Sequence, residues 1–318
     1  MPLHNGSLTL CKVAQELSDK IVVIVLGTPK DQISIKIREQ WLHQELPDAQ
    51  IKNHQISETA QLTAKGFKPL LNEIKGIFPN YRSHFFGSNP IIAKLASKLM
   101  QECTILDPDH LAQNIKSSAV LSDPYKNWSS MPQSVKIPLI KRVVLIGPES
   151  VGKSSLAKKL NQHNPNISWL PEYGRNYELF RKPVLYKESE FPIICDTHAA
   201  HRKALLPFSG PIFLEDTDEL ATSVWSEMLI QKTLPEIENR IKLPEMYFLM
   251  DPSVPFVPEN IRYFDKEKRQ EFFLKIKKKL EIYNAPYKVL TGSWQERETK
   301  ALKTINQLLN EPPKWSTL

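Results

Sequence analysis

The amino-acid sequence predicts an α/β protein built of two parallel-sheet domains. Three observations predict it: strand-like apolar runs alternate with helical patterns, a proline-bracketed seam divides the chain, and a glycine-containing turn just after the seam joins a strand to a helix. The turn leaves about 140 residues before it and about 170 after it, each enough for one domain.

In chain order, residues 21–26 read as a buried strand, and residues 33–46 have helical spacing through Ile37 and Trp41. A short strand at 83–86, a helix at 91–100 and a strand at 103–106 follow. The seam is Met131-Pro132-Gln133-Ser134-Val135-Lys136-Ile137-Pro138. Beyond it come strands at 143–146, 167–170, 212–214, 247–249 and 287–290. The expected domains are therefore 1–136 and 139–318.

Composition narrows the function classes. At 41% hydrophobic and 24% charged, the chain is that of a soluble globular protein, and no apolar run reaches the ~18 residues of a membrane helix. The N-terminus lacks a secretory pattern, and Cys11, Cys103 and Cys195 are too few and too scattered for a disulfide framework or a zinc site. A cytoplasmic location with reduced thiols is expected. The net charge of +7 sits partly on solvated helix faces, as in residues 272–280, where Phe273, Ile276 and Leu280 mark an apolar stripe between lysines. No nucleic-acid docking motif accompanies the charge, and anionic nucleotide substrates account for some of it.

The segment Gly147-Pro148-Glu149-Ser150-Val151-Gly152-Lys153-Ser154 fits G-x-x-x-x-G-K-[ST], with an apolar strand before it and an amphipathic helix opening through Leu156 and Leu160 after it. Its backbone N–H groups, with Ser155 closing the set, wrap the phosphates of ATP; Lys153 reaches the β and γ oxygens, and Ser154 holds Mg²⁺.

About twenty residues on, Pro171-Glu172-Tyr173-Gly174-Arg175 follows a strand end, where open α/β sheets place their ligand crevice. Glu172 suits sugar hydroxyls, Tyr173 a ring face and Arg175 a phosphate, against the plainer reading of a capping Glu and a core Tyr. Glu215-Asp216-Thr217-Asp218 follows the next strand, where phosphate-loop enzymes carry a metal-holding or base carboxylate; the same residues also suit a helix N-cap. A third cluster runs from Asp251 to Arg262 through Pro255 and Phe256, lid-like, with Arg262 as the candidate clamp. Gly292-Ser293, before the terminal helix, is placed either to hold adenine or simply to cap that helix.

Together these segments resemble the NadR-type proteins of bacteria, which join a nicotinamide-nucleotide adenylyltransferase to a ribosylnicotinamide kinase. That family's kinase half runs from G-x-E-S-x-G-K-S through W-x-x-E-Y-G-R, D-T-D and D-x-x-x-P-W-x-x-D-G-x-R to a G-S loop. The chain carries Gly147 to Ser154, Trp169 with Glu172 to Arg175, Asp216 to Asp218, Asp251 with Pro255 and Arg262, and Gly292-Ser293 in that order. It departs at Phe256 for Trp, Glu259 for Asp and Asn260 for Gly, keeping an aromatic face and a carboxylate.

The front half resembles the family's nucleotidylyltransferase domain, a Rossmann fold, with larger departures. The opening Met1-Pro2-Leu3-His4-Asn5-Gly6-Ser7 matches G-x-F-x-P-x-H-x-G-H from its middle, so the strand expected before the motif is missing, and Ser7 replaces the second His. The partner motif I-S-x-T-x-I-R reads Ile115-Lys116-Ser117-Ser118-Ala119-Val120-Leu121, with Leu121 for Arg, before Asp123-Pro124-Tyr125-Lys126. A lost charge-assisted contact is worth roughly 1.5–3 kcal/mol, so this domain is expected to persist without adenylyl transfer.

The resemblance thus implies a P-loop kinase that phosphorylates nicotinamide riboside with ATP and Mg²⁺. Lys153 and Arg262 neutralise developing charge, Ser154 with Asp216 or Asp218 holds the metal, and either Glu172 or Asp216 orients or deprotonates the attacking hydroxyl. Glu172, Tyr173, Arg175, Asp251 and Phe256 bind the riboside; Gly292 and Ser293 lie on the ATP side. Alternatives are the full bifunctional enzyme and a nucleotide-sensing regulatory module. The expected partners are small molecules, with a homo-oligomer admitted and neither nucleic acid nor membrane.

Overall fold

The computed structural model describes residues 2–55, 82–98, 102–112, 114–182, 184–253 and 264–317. The chain divides into two compact units, Met1–Pro138 together with Pro312–Leu318, and Leu139–Glu311. The C-terminal segment thus belongs with the first unit, whereas the sequence reading placed it in the second domain. Among the described residues no helix is long and apolar enough to cross a membrane.

In the first unit, the helix Asn5–Glu16 precedes β1 (Val22–Gly27), which pairs in parallel with β2 (Gln50–Gln55). Between them lies the helix Ile35–Glu45, capped by Ser34, whose Oγ accepts from the Ile37 N–H at 3.2 Å. Its apolar stripe buries Trp41 and Leu42 and is flanked by the buried Ile33 and Leu46. A second parallel pair is β3 (His84–Gly87) with β4 (Glu102–Ile105), and the helix between them, Pro90–Ala96, ends earlier than its predicted limit at residue 100. The seam is not an open linker. Gln133–Lys136 is a turn of helix that buries Val135 and Ser134, and the Ser134 N–H donates to Glu45 Oε1 at 2.9 Å.

The second unit is one five-stranded parallel sheet in the order β6-β7-β5-β8-β9, formed by Lys141–Ile146 (β5), Ile167–Leu170 (β6), Ile212–Asp216 (β7), Met246–Met250 (β8) and Tyr287–Leu290 (β9). All five strands predicted for this half are present. β5 is central and its alternate residues feed two cores. Val143 and Leu145 pack with the helices Lys153–His163 and Trp294–Asn310 through Leu156, Leu160 and Ile305. Val144 and Ile146 pack on the other face with the helices Glu219–Leu229 and Lys266–Ile282 through Leu220, Val224, Phe272 and Ile276. The lysine-rich helix behaves as its stripe foretells: Phe273, Ile276 and Leu280 are buried while Lys275 and Lys279 pair with Glu227.

This order places the carboxyl ends of β5, β6 and β7 together. The turns that leave those ends are the phosphate loop, the Glu172 segment and the Asp216 segment.

Candidate active site

The loop after β5 bends back on itself through positive φ at Gly147 (144°), Ser150 (63°) and Gly152 (83°). Such a turn points successive N–H groups into one concavity, an anion nest at the start of the helix Lys153–His163. Glycine is required at both ends: a Cβ on Gly147 would sit 2.9 Å from the Met250 carbonyl oxygen, and one on Gly152 would run into the Trp294 ring at 1.9 Å. Lys153 is buried and its Nζ donates to the Gly147 and Pro148 carbonyls at 3.1 and 3.0 Å, so the ammonium lies over the loop. Ser154 Oγ donates to Asp216 Oδ2 at 2.5 Å, and that carboxylate is fully buried at the end of β7. Thr217 follows it at φ 72°, a strained setting for a β-branched residue.

Beside the loop is a cavity of about 310 Å³. Its lining joins a polar group, Glu172 with Lys153, Arg175 and His198, whose charges act on that carboxyl, to an apolar group in which Tyr186, Phe191, Trp225 and Leu229 pack together; Glu149, Ser150, Tyr173 and Ile194 line it too. Burial raises the Glu172 carboxyl above its ordinary range; Asp216 pushes the same way, and Lys153, Arg175 and His198 oppose it. A carboxylate of raised pKa beside a buried ammonium is the environment of a proton acceptor.

Below the cavity lies an ion network centred on Glu215, fully buried in β7. Its Oε1 accepts from Arg142 Nε at 2.5 Å and its Oε2 from Arg202 Nε at 2.7 Å, with His198 Nε2 at 3.3 Å. Burial alone would raise this carboxyl, but His198, Arg142 and Arg202 hold it down at about 2. A depressed carboxyl contributes stability that is complete above its unfolded value near 4.5 and is lost as pH falls through about 2. The contribution is on the order of 3 kcal/mol near neutrality. Urea unfolding from pH 7 to pH 2.5 should show stability falling below pH 4.5 in the parent and a flatter, lower profile in Glu215→Gln. Parallel profiles would remove the network from the stability account.

In the first unit, His4 caps the helix Asn5–Glu16. The Ser7 N–H donates to its Nδ1 at 3.3 Å, and its Nε2 lies 3.0 Å from Ser117 Oγ. An Nδ1 that accepts leaves the ring proton on Nε2, directed at Ser117. Burial, then the nearby His110, lowers the His4 pKa and favours this neutral form. The fold therefore brings the two front-half motifs together, with both imidazole nitrogens already engaged.

The AAA domain family model matches residues 142–297. The trifunctional NAD biosynthesis/regulator protein NadR of Salmonella typhimurium strain LT2 is 24% identical, over 82% of this chain and 69% of the relative. Its namesake in Escherichia coli K12 is 23% identical over 98% and 82%. Among solved structures, a NadR protein in complex with NR superposes with a TM-score of 0.71 at 18% identity, over 98% of this chain and 94% of that one. Another, with NAD and AMP-PNP, gives 0.68 at 17% identity over the same shares. Over most of its length the chain is similar to NadR proteins in sequence and in fold.

Within that NadR-type frame the expected site residues separate. Glu149, Ser150, Lys153, Glu172, Tyr173, Arg175 and Asp218 line the cavity, and Ser154 and Asp216 meet beside the loop. Val151 points its side chain into the core, so only its backbone faces the nest, and Ser155 is exposed on the first helical turn. Asp218 does not behave as a free metal ligand: its Oδ1 caps the helix Glu219–Leu229 through the Ala221 N–H, and its Oδ2 accepts from Tyr247 Oη at 2.6 Å. Asp251, unlike Asp218, is not among the lining residues of the cavity; its Oδ1 accepts from the Ser253 N–H and closes a turn. Ser293 caps the helix Trp294–Asn310 in a capping box with Glu296, and Gly292, at φ 93°, accepts from Arg297 Nε. Pro255, Phe256, Glu259, Asn260 and Arg262 lie outside the described residues.

The sequence reading missed most of the apolar wall. Phe191, Ile194, Cys195 and His198 are spaced like any core stripe, and only the fold shows that this face borders a cavity. Cys195 is a free, buried thiol pushed up to about 12 by burial, whereas Cys11 and Cys103, expected in the core with it, are half-buried.

Proposed function

We propose that the chain transfers the γ-phosphoryl group of ATP to the 5′-hydroxyl of nicotinamide riboside, giving nicotinamide mononucleotide and ADP in NAD biosynthesis. The observation that carries this is a single cavity whose walls include both the phosphate-loop lysine and the Glu172–Arg175 segment. The NadR relatives and the neighbours solved with NR and with AMP-PNP support it.

On this reading Glu172 accepts the hydroxyl proton as the oxygen attacks the γ-phosphorus and the bond to the β–γ bridging oxygen breaks. Lys153 and the N–H groups of residues 147–154 take up the charge that moves onto the leaving phosphate. Ser154 Oγ and the Asp216 carboxylate form a pair of hard oxygens that fits Mg²⁺. When bound, the ion would offset charge on the β and γ phosphates. This division assigns Asp216 to the metal and Glu172 to the proton. The use of ATP as donor accords with a cytoplasmic setting.

A coupled ADP-release assay across nicotinamide riboside, nicotinic acid riboside and the common ribonucleosides tests the reading, and absence of turnover with every riboside would end it. Tyr173 provides a finer check. Tyr173→Ala should raise KM for the riboside on the order of tenfold and leave KM for ATP nearly unchanged; equal effects on both would mean that the ring only supports the fold.

A further inference from the structure

We propose that Glu219 is the residue that selects the substrate's base, accepting a hydrogen bond from an N–H donor such as a primary carboxamide and excluding the corresponding carboxylate. This rests on the kinase reading above and assigns one side chain within it.

Glu219 is only 4% exposed and opens the helix Glu219–Leu229, whose Thr222, Trp225 and Leu229 continue along the same cavity wall. Its Oε1 accepts from Arg202 Nη2 at 2.8 Å. Its Oε2 is buried and has no hydrogen-bond partner among the described residues. A buried carboxylate oxygen left unpaired costs about 1–3 kcal/mol, more when charged, so a wall residue in this condition points to a ligand that completes it.

The chemistry of the missing partner follows from the surroundings. Lys153 and Glu172 serve the phosphate-loop side of the lining, whereas Glu219 is close enough to act on Cys195, which packs in the apolar cluster with Phe191, Tyr186 and Trp225. A riboside with its hydroxyl at the loop and its ring against Trp225 would bring a ring substituent to Glu219. The free oxygen can only accept, so the substituent must donate. Glu178, half-buried on the same lining, has a second unpartnered carboxylate oxygen in Oε1, and two such oxygens repel an anionic ring.

Glu219→Gln makes the proposal testable because Arg202 orients the new side chain. Arg202 Nη2 needs an acceptor, so the amide oxygen turns to Arg202 and the NH₂ faces the cavity, presenting a donor where the parent presents an acceptor. The experiment measures kcat/KM for nicotinamide riboside and nicotinic acid riboside, with KM for ATP as the control for an intact phosphate loop. The parent should prefer the amide on the order of 10²-fold or more, since a site built for a donor rejects an analogue lacking it. In Glu219→Gln this ratio should collapse by tenfold or more through a gain with the acid, with KM for ATP unchanged. The ratio does not depend on the folded fraction, so partial misfolding leaves the readout valid.

A parent that prefers the amide and a variant that keeps the same ratio would overturn the role of Glu219 and leave the kinase reading standing. Equal use of both ribosides by the parent would also overturn it. Turnover of neither would remove the kinase reading and this inference together.

Discussion

Lys153→Ala should lower the rate of phosphoryl transfer by a factor on the order of 10³ or more while leaving the fold intact. The side chain contributes little to the core: its Nζ contacts are two loop carbonyls, and the apolar packing of its helix is carried by Leu156, Ala157 and Leu160. What alanine removes is the buried ammonium at the mouth of the nest. Arg175, the other cation on the cavity lining, is exposed and lies on the Glu172 side. The measurement is steady-state ADP release beside a thermal melt. A variant that melts like the parent and retains most of its turnover would remove the phosphate-loop assignment; loss of turnover with an unchanged melt is the expected result.

Supplied with nicotinamide mononucleotide and ATP, the protein should form no dinucleotide, several orders of magnitude below its kinase rate. The front-half site has the frame of a nucleotidylyltransferase motif and lacks its donors. Ser7 stands where a second imidazole is expected and is committed to the capping box with His4. His4 spends its Nδ1 on the Ser7 N–H and directs its Nε2 at Ser117, so its ring offers no free donor to a phosphate. Leu121 stands where an arginine is expected, and its carbonyl accepts from Trp315 Nε1 at 3.2 Å. Chromatographic detection of dinucleotide and pyrophosphate at a rate comparable to ADP release from the riboside reaction would restore the bifunctional reading.

How far the sequence spoke depended on what kind of signal each element carried. The second unit was legible because a parallel sheet buried on both faces writes short continuous apolar runs, as in Val143 to Ile146, between turns of fixed chemistry. β2 was missed because Gln-Ile-Lys-Asn-His-Gln shows neither alternation nor an apolar run; its residues are half-buried or exposed, and only pairing with β1 makes it a strand. The phosphate loop and Glu172 to Arg175 were legible because their residue types serve little else in that order. Asp218 and Asp251 read ambiguously for a physical reason: a carboxylate that caps a helix or closes a turn is indistinguishable in sequence from one that meets a ligand. Glu219 was invisible for the same reason, as an acidic first-turn residue that suits the helix dipole and draws no notice until its unpartnered oxygen is seen.

The return of Pro312–Leu318 to the first unit has a consequence for biosynthesis. Trp315 is buried, sets its ring edge-on to Trp41 at 6.4 Å and donates to the Leu121 carbonyl, so a piece of the first unit's interior is encoded after the whole of the second. On the ribosome the second unit therefore has its entire sequence before the first can gain Trp315. The unit that begins the chain is the one completed last, an inversion of the usual N-to-C order in which domains mature.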